Sequence, residues 1–161
     1  MTVIDAASRS RIESVRFAHV NLIAKDWKRL AIFYQDTFGL VPALPERHLS
    51  GPWLEEATGI KGVRIDGVHL VFPGEYGDRI TLEIFQYNPP AVEQPKSVNR
   101  HGLGHIAFRV SDVQETLDAV IRNGGSPLGS VVSKEIEKAG TITFVYAQDP
   151  EGNIIELQNW H

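Results

Sequence analysis

Two histidines and two glutamates stand at matched places in the chain, and they are the residues best suited to chemistry. His105 follows His19 by 86 residues, and Glu156 follows Glu83 by 73 residues. The spacing of 86 also separates two further pairs, Asp26 from Asp112 and Gly39 from Gly125. The chain therefore contains two copies of one unit, each with a histidine near its start and a glutamate near its end. Because two copies are too few for a solenoid, they predict a pseudo-twofold pair of modules.

These residue types indicate a divalent metal ion held by nitrogen and oxygen ligands. The sequence has no cysteine, which excludes thiolate ligands, disulfides and cysteine nucleophiles. Two imidazoles and two carboxylates suit one Ni²⁺, Co²⁺, Mn²⁺, Fe²⁺ or Zn²⁺ ion per site, with positions left for water or substrate. We therefore predict metal ligation by His19, Glu83, His105 and Glu156. The histidines without a matched partner are interpreted as surface residues or outer neighbours of the site: His48, His69, His101 and His161.

Strand alternation explains why the four side chains would meet, since successive residues of a strand face opposite ways. One face of the predicted strands is apolar: Ala18, Val20, Leu22, Leu82, Ile84, Ile106, Phe108, Val110, Ile155 and Leu157. The other face carries the predicted ligands and most of the polar residues: His19, Asn21, Thr81, Glu83, Phe85, His105, Ala107, Arg109, Glu156 and Gln158. Polar groups on a sheet face are costly unless solvated, paired or metal-bound. The pattern favours a concave, solvent-filled site that binds a metal ion.

The order of elements is the same in both copies and predicts an α+β fold of two βαβββ modules. The predicted segments are a flexible N-terminal arm (1–15), a first module (16–87), a linker (88–101) and a second module (102–161), the last three forming one domain (16–161). Asp26 and Asp112 precede amphipathic segments and predict helix N-termini. A hairpin turn is expected over 73–78, and a single strand over 129–137.

Five further residues are candidates for substrate binding: Asn21, Phe85, Arg109, Trp53 and Gln158. Trp53 belongs to the segment 51–60, which has no counterpart in the second copy and predicts a short helix. Inserted segments on a rigid scaffold often carry binding determinants, although this one could instead cover a sheet edge. Arg109 lies two residues from His105 and is interpreted either as an anchor for an anion or as a solvated strand residue.

Composition restricts the class of partner. The 161 residues carry a formal net charge of −4 and show no basic stripe, so neither nucleic acid nor an anionic membrane is expected as a partner. The N-terminal residues lack the apolar core of a signal peptide, and no apolar run reaches the length of a membrane helix. We expect a soluble cytoplasmic protein with a small-molecule substrate.

At these residues the chain resembles the vicinal oxygen chelate superfamily, which includes glyoxalase I, bleomycin-binding proteins and extradiol dioxygenases. The similarity extends over nearly the whole of 16–160. It rests on four stretches, Phe-Ala-His-Val-Asn-Leu at 17–22, Phe-Tyr-Gln-Asp-Thr-Phe-Gly-Leu at 33–40, Gly-His-Ile-Ala-Phe at 104–108 and Asp-Pro-Glu-Gly-Asn-Ile-Ile-Glu-Leu at 149–157. The resemblance implies that the two modules form a U-shaped mixed sheet around one divalent metal ion. It also implies a homodimer.

Within the superfamily, a full set of two histidines and two glutamates is similar to the glyoxalase I and methylmalonyl-CoA epimerase branches. Fosfomycin-modifying enzymes and extradiol dioxygenases typically use three ligands, which match His19, His105 and Glu156, so the presence of Glu83 argues against both. Glyoxalase I of the short bacterial type has an arginine four residues after the first histidine to hold glutathione, whereas this chain has Ile23. The enzyme is expected to be lactoylglutathione lyase-like or methylmalonyl-CoA epimerase-like.

The chemistry that these branches share is removal of a proton α to a metal-bound carbonyl. The resemblance assigns catalysis to Glu156, as the principal base, and to Glu83, and implies an isomerase or lyase of a small thioester, hemithioacetal or oxo compound. Two alternatives remain open at this point. One is a non-catalytic protein of the same fold that binds a metal or small molecule. The other is an extradiol dioxygenase-like or fosfomycin-resistance-like enzyme.

Overall fold

The computed structural model describes residues 16–73 and 80–161. Two βαβββ modules account for the helices and strands in these ranges, so the predicted α+β fold is confirmed. The predicted N-terminal arm (1–15) and most of the predicted turn (73–78) lie outside the described residues. Among the described residues, the helices are too short or too polar to span a membrane.

The first module forms a four-stranded mixed sheet. Its elements are β1 (His19–Ile23), α1 (Trp27–Phe38), β2 (Val41–Ser50), α2 (Pro52–Thr58), β3 (Arg64–Val71) and β4 (Thr81–Asn88). The strand order is β1-β4-β3-β2, with β1 parallel to β4 and the other pairs antiparallel. The helix α2 is the predicted insertion of this module.

The second module repeats this arrangement after residues 89–105. Its elements are β5 (Ile106–Arg109), α3 (Val113–Arg122), β6 (Ser126–Pro127), β7 (Val132–Ile136), β8 (Gly140–Gln148) and β9 (Ile154–Trp160). The strand order is β5-β9-β8, and both β6 and β7 pair with β8. The strand predicted over 129–137 is present as the shorter β7, whereas the two-residue strand β6 that precedes this range was not predicted. The pairing of β2 with β3 is interrupted at the corresponding place, between Ala43 and Arg47.

Both long helices begin at the predicted aspartates. Asp26 accepts a hydrogen bond from the Arg29 amide at 3.1 Å, and Asp112 accepts one from the Glu115 amide at 2.9 Å. Each carboxylate thereby satisfies one of the amides that the first helical turn leaves without a partner. Gly39 ends α1 in the left-handed conformation at φ 69°, which glycine adopts without strain.

The apolar faces of both sheets pack into one core with the helices between them. α1 packs on β3 and β4, α3 packs on β8 and β9, and the two helices touch each other. The side chain of Phe108, from β5 of the second module, stacks on Phe38 of α1 with ring centroids 4.1 Å apart. Because strand residues alternate, the faces that carry the predicted ligands point away from this shared core.

The turn at 149–153 joins the modules by hydrogen bonds. Asp149 is 3% exposed and accepts a hydrogen bond at 3.0 Å from the buried hydroxyl of Tyr34 in α1. Glu151 accepts hydrogen bonds from the backbone amides of Lys25 and Asp26, at 2.8 and 2.9 Å, where α1 begins. Burial raises the pKa of Asp149, although hydrogen bonds from Asn153 oppose this shift. Burial also raises the pKa of Tyr34 well above its ordinary value.

Candidate functional site

The first module brings His19 and Glu83 together on the outer face of its sheet. In the parallel pairing of β1 with β4, His19 lies opposite Thr81 and Asn21 lies opposite Glu83. His19 Nε2 is 3.4 Å from Glu83 Oε2, and Asn21 Nδ2 donates a hydrogen bond of 3.1 Å to the same oxygen. Asn21, predicted to bind substrate, thus holds a predicted ligand in this structure.

His69, interpreted from the sequence as a surface residue or an outer neighbour of the site, is a third member of this group. Its Cα lies opposite that of Glu83 in the antiparallel pairing of β3 with β4. Its Nε2 is 3.3 Å from Glu83 Oε1, and its Nδ1 is 3.4 Å from the Thr81 hydroxyl. Burial lowers the pKa of His69, and the charge of Glu83 partly opposes this shift. Strand alternation is the sequence signal that could have revealed it, because His69 lies on the same face of β3 as Ile65 and Gly67.

The second module forms a corresponding group around Glu156. His105 lies just before β5, and its Nε2 is 2.9 Å from Glu156 Oε2. Tyr146 of β8 lies opposite Glu156, at the position that His69 has in the first module, and its ring is 5.2 Å from that of His105. The pKa of Tyr146 is raised, first by burial and then by the charge of Glu156 and a hydrogen bond to it.

The geometry of each pair fits half of a metal centre. Ligand atoms bound about 2.1 Å from one ion at neighbouring positions lie about 3 Å apart, close to the separations of 3.4 and 2.9 Å found here. The glutamate side chains are 10% and 13% exposed, whereas the His19 and His105 side chains are 46% and 35% exposed. Each histidine is therefore open to an incoming ion beside an enclosed carboxylate.

Within one chain the structure brings the four predicted ligands together two by two. No group of three or more histidine, aspartate or glutamate side chains within residues 16–73 and 80–161 has the geometry to hold a metal ion. The reason is the shared core, because each ligand face points outward from its own sheet. The two histidine–glutamate pairs thus lie on separate sheets.

The helix α2 lies on the ligand face of the first sheet. Its Leu54 is buried in a small apolar cluster with Val63, Ile65 and Phe85. Phe85 also contacts His69, with ring centroids 5.6 Å apart. This cluster places the inserted segment next to the residues that surround Glu83. Trp53, on the same helix, is 55% exposed.

The other predicted substrate residues lie in the second module. Arg109 ends β5 with an exposed side chain and lines a cleft together with Phe38, Phe72 and Phe108. Gln158 of β9 accepts a hydrogen bond of 2.7 Å from the Trp160 indole.

The three remaining histidines lie away from the two groups. His48 is 2.6 Å from Asp66 on the edge of the first sheet, and His161 is 3.4 Å from the Thr143 hydroxyl. His101 is exposed in the segment between the modules.

A second cleft borders His105. It is lined by residues of the segment between the modules and of the last hairpin, including Lys96, Ser97, Arg100, Leu103 and Asn153. Lys96 Nζ donates hydrogen bonds to the Asn153 side chain and to the Glu151 carbonyl, at 2.8 and 2.9 Å. Because its lining contains two cationic residues and no acidic one, this cleft suits an anionic group.

Comparison with protein-family models gives a match to the Glyoxalase/Bleomycin resistance protein/Dioxygenase superfamily over residues 16–157. The chain belongs to this superfamily. No curated protein matches the sequence. The match includes all four predicted ligands together with His69 and Tyr146.

Solved structures of this superfamily share the fold at low sequence identity. A glyoxalase family protein from Bacillus cereus is 20% identical, with a TM-score of 0.72, and the similarity covers 95% of this chain and 97% of that one. A V278E mutant of glyoxalase I from Zea mays is 20% identical with a TM-score of 0.55, covering 89% of this chain and 44% of the maize chain. A glyoxylase/bleomycin resistance protein/dioxygenase domain from Frankia is 16% identical, with a TM-score of 0.55 and coverage of 92% and 99%.

Proposed function

We propose that this chain is a divalent-metal-dependent enzyme of the glyoxalase I or epimerase type and that it works as a homodimer. In this proposal, His19 and Glu83 of one copy and His105 and Glu156 of a second copy surround one ion. The substrate is a small thioester, hemithioacetal or oxo compound, and the reaction is an isomerisation or a lyase reaction that begins with removal of a proton next to a carbonyl.

The observation that carries this proposal is the repeated histidine–glutamate pair. Both pairs occupy the same register of parallel strands, both face outward, and both have nitrogen–oxygen separations that fit neighbouring ligands of one ion. The pair is present in both copies although the residue opposite the glutamate differs, being His69 in one and Tyr146 in the other. Two outward faces of different copies can meet, whereas the two faces of one chain are separated by its core.

Exposed apolar residues beside the histidines support a second copy as the cover. Phe17 and Ile23 flank His19 and are 64% and 52% exposed, and Leu103, two residues before His105, is 75% exposed. Clusters of exposed apolar side chains next to a polar site mark an interaction surface. A face-to-face dimer would bury these side chains, and each Å² of apolar surface removed from water would stabilise it by about 25 cal/mol.

The residues of the chain supply binding and proton transfer. A divalent ion bound at this site would supply Lewis-acid polarisation of the substrate carbonyl. Glu156 accepts the proton from the carbon next to that carbonyl and returns it as the conjugate acid, which is the role of a general base within hydrogen-bonding distance. The cleft that contains Lys96 and Arg100 binds an anionic part of the substrate beside His105.

The experiment that tests this function measures metal binding and proton exchange on the same preparation. Protein purified without chelator is expected to hold about one divalent ion per chain, because a twofold dimer forms two equivalent sites. His105→Ala should lose the ion and remain folded, since the core is untouched, while the matched control His48→Ala should retain it. A panel of thioesters and hemithioacetals in D₂O should reveal a substrate that takes up deuterium next to its carbonyl.

Two results would count against the proposal. A chain that cannot be loaded with Ni²⁺, Co²⁺, Mn²⁺, Fe²⁺ or Zn²⁺ would contradict the metal centre. A loaded dimer that binds members of the panel but exchanges no deuterium would indicate a binding protein rather than an enzyme.

A further inference from the structure

The two modules hold their glutamates differently. In each sheet the residue opposite the glutamate on the neighbouring antiparallel strand is polar, and it is His69 for Glu83 but Tyr146 for Glu156. The duplicated fold therefore presents an imidazole in one module and a phenol in the other. The backbone pairing is the same in both modules, so the difference comes only from the side chains at these two positions.

Both oxygens of Glu83 are engaged by side chains of the same module. His69 Nε2 lies 3.3 Å from Oε1, while Asn21 Nδ2 donates to Oε2 at 3.1 Å. The other nitrogen of His69 lies 3.4 Å from the Thr81 hydroxyl, which orients the ring. Polar residues on three strands thus fix a carboxylate that is 10% exposed.

The second module lacks this support. Ala107 lies opposite Glu156, in the register that Asn21 occupies opposite Glu83, so no amide is available there. Ile154 takes the place of Thr81 at the start of the corresponding strand. Glu156 is therefore contacted by His105 and Tyr146, and fewer hydrogen bonds hold its carboxylate in place than hold that of Glu83.

On the basis of the proposed function, we propose that His69 is a positioning residue that fixes Glu83 as a permanent ligand. Glu156, the base in the proposed function, has Tyr146 in place of this histidine. Hydrogen bonds from outer neighbours orient metal ligands and raise metal affinity, and their loss typically weakens binding 10- to 100-fold. Proton exchange, in contrast, needs a carboxylate oxygen that can be presented to the substrate. The two modules therefore have different tasks.

The test is a titration of the metal-free dimer with Co²⁺, followed by visible absorption. His69→Leu should bind Co²⁺ about 10- to 100-fold more weakly and change the absorption spectrum, because Glu83 loses its orientation. His69→Gln should restore most of the affinity, since its amide can donate to the same oxygen. His48→Leu is the matched control, because this exposed histidine contacts Asp66 at the edge of the same sheet, and it should leave Co²⁺ affinity unchanged. Thermal unfolding of each variant shows that it is folded.

The outcomes separate this inference from the proposed function. A wild-type dimer that binds no Co²⁺ overturns both. If the wild type binds Co²⁺, the role of His69 alone is overturned by either of two results. One is His69→Leu binding as tightly as the wild type, and the other is His48→Leu binding as weakly as His69→Leu. If His69→Leu does not fold, Thr81→Val decides, because it keeps the side-chain shape but removes the hydrogen bond to Nδ1; unchanged Co²⁺ affinity in that variant overturns the inference.

Discussion

At the scale of single residues, spacing predicted that four polar side chains face outward from the sheets, but it did not single out the residues that contact them. His19, Glu83, His105 and Glu156 were recognisable because duplication places each type twice in the same register. His69 was interpreted as a surface or outer residue because its counterpart is Tyr146, a different residue type. Matching identical residues between copies therefore finds what both modules share and misses what distinguishes them.

The first prediction concerns the two glutamates. Glu156→Gln, compared with the wild type at full metal loading, should slow deuterium exchange next to the substrate carbonyl by at least about 100-fold, because a positioned base is worth about that much. Glu83→Gln should instead lower metal affinity, since the amide replaces a carboxylate ligand.

The measurement is exchange in D₂O followed by NMR, with metal content determined for each variant. Equal exchange rates in wild type and Glu156→Gln would refute the assignment of the base.

At the scale of elements, the helices and central strands followed from sequence patterns, whereas the edges did not. Capping residues Asp26 and Asp112 define the helix starts locally, so their prediction needed no tertiary information. The edge strands β6 and β7 are short, exposed and separated, and an edge strand has only one neighbour to fix its extent. For this reason the predicted bounds 129–137 are wider than β7, and β6 was not predicted.

The second prediction concerns α2, whose Leu54 is buried beside Phe85 on the ligand face. Trp53→Ala should weaken substrate binding, seen as a higher KM with kcat unchanged, because an exposed aromatic side chain there contributes to binding rather than to proton transfer. The control is Ile60→Ala, which changes an exposed residue just after α2. Trp27→Ala would not serve, because Trp27 is buried in the core.

An unchanged KM for Trp53→Ala would favour the other interpretation of α2, as a surface helix covering a sheet edge. A lower kcat at unchanged KM would also contradict the prediction.

At the scale of the whole molecule, the turn at 149–153 fixes the two modules against each other. In the sequence this turn is only a motif shared with the family, because its role depends on contacts with Tyr34 and the start of α1, more than 100 residues away. The same arrangement directs both ligand faces outward. The sequence indicated convergence of four ligands, but whether they converge within one chain depends on how the modules pack, which residue spacing does not encode.

The third prediction is a pH dependence of stability from Asp149. Burial raises its folded-state pKa above the ordinary value of 3.8, so the folded chain binds this proton more tightly than the unfolded chain. Its contribution is therefore most favourable below that ordinary value and is lost as pH rises through the raised pKa. In Asp149→Asn this dependence should be absent.

Urea unfolding of both proteins over this pH range provides the measurement. The free energy of unfolding of the wild type, minus that of Asp149→Asn, should fall as pH rises and then level off. A difference that grows with pH would show that the hydrogen bonds to Asp149, and not its burial, dominate.

The central claim is that one metal centre takes its ligands from two copies, and mixing two inactive variants tests it most directly. One variant carries His19→Ala with Glu83→Ala, and the other carries His105→Ala with Glu156→Ala. Neither homodimer contains a complete site, whereas each mixed dimer contains one. After unfolding and refolding together, random pairing should restore about one ion per four chains, together with deuterium exchange. Metal content and exchange that stay at the level of the separate variants, in a mixture shown to contain mixed dimers, would contradict the account.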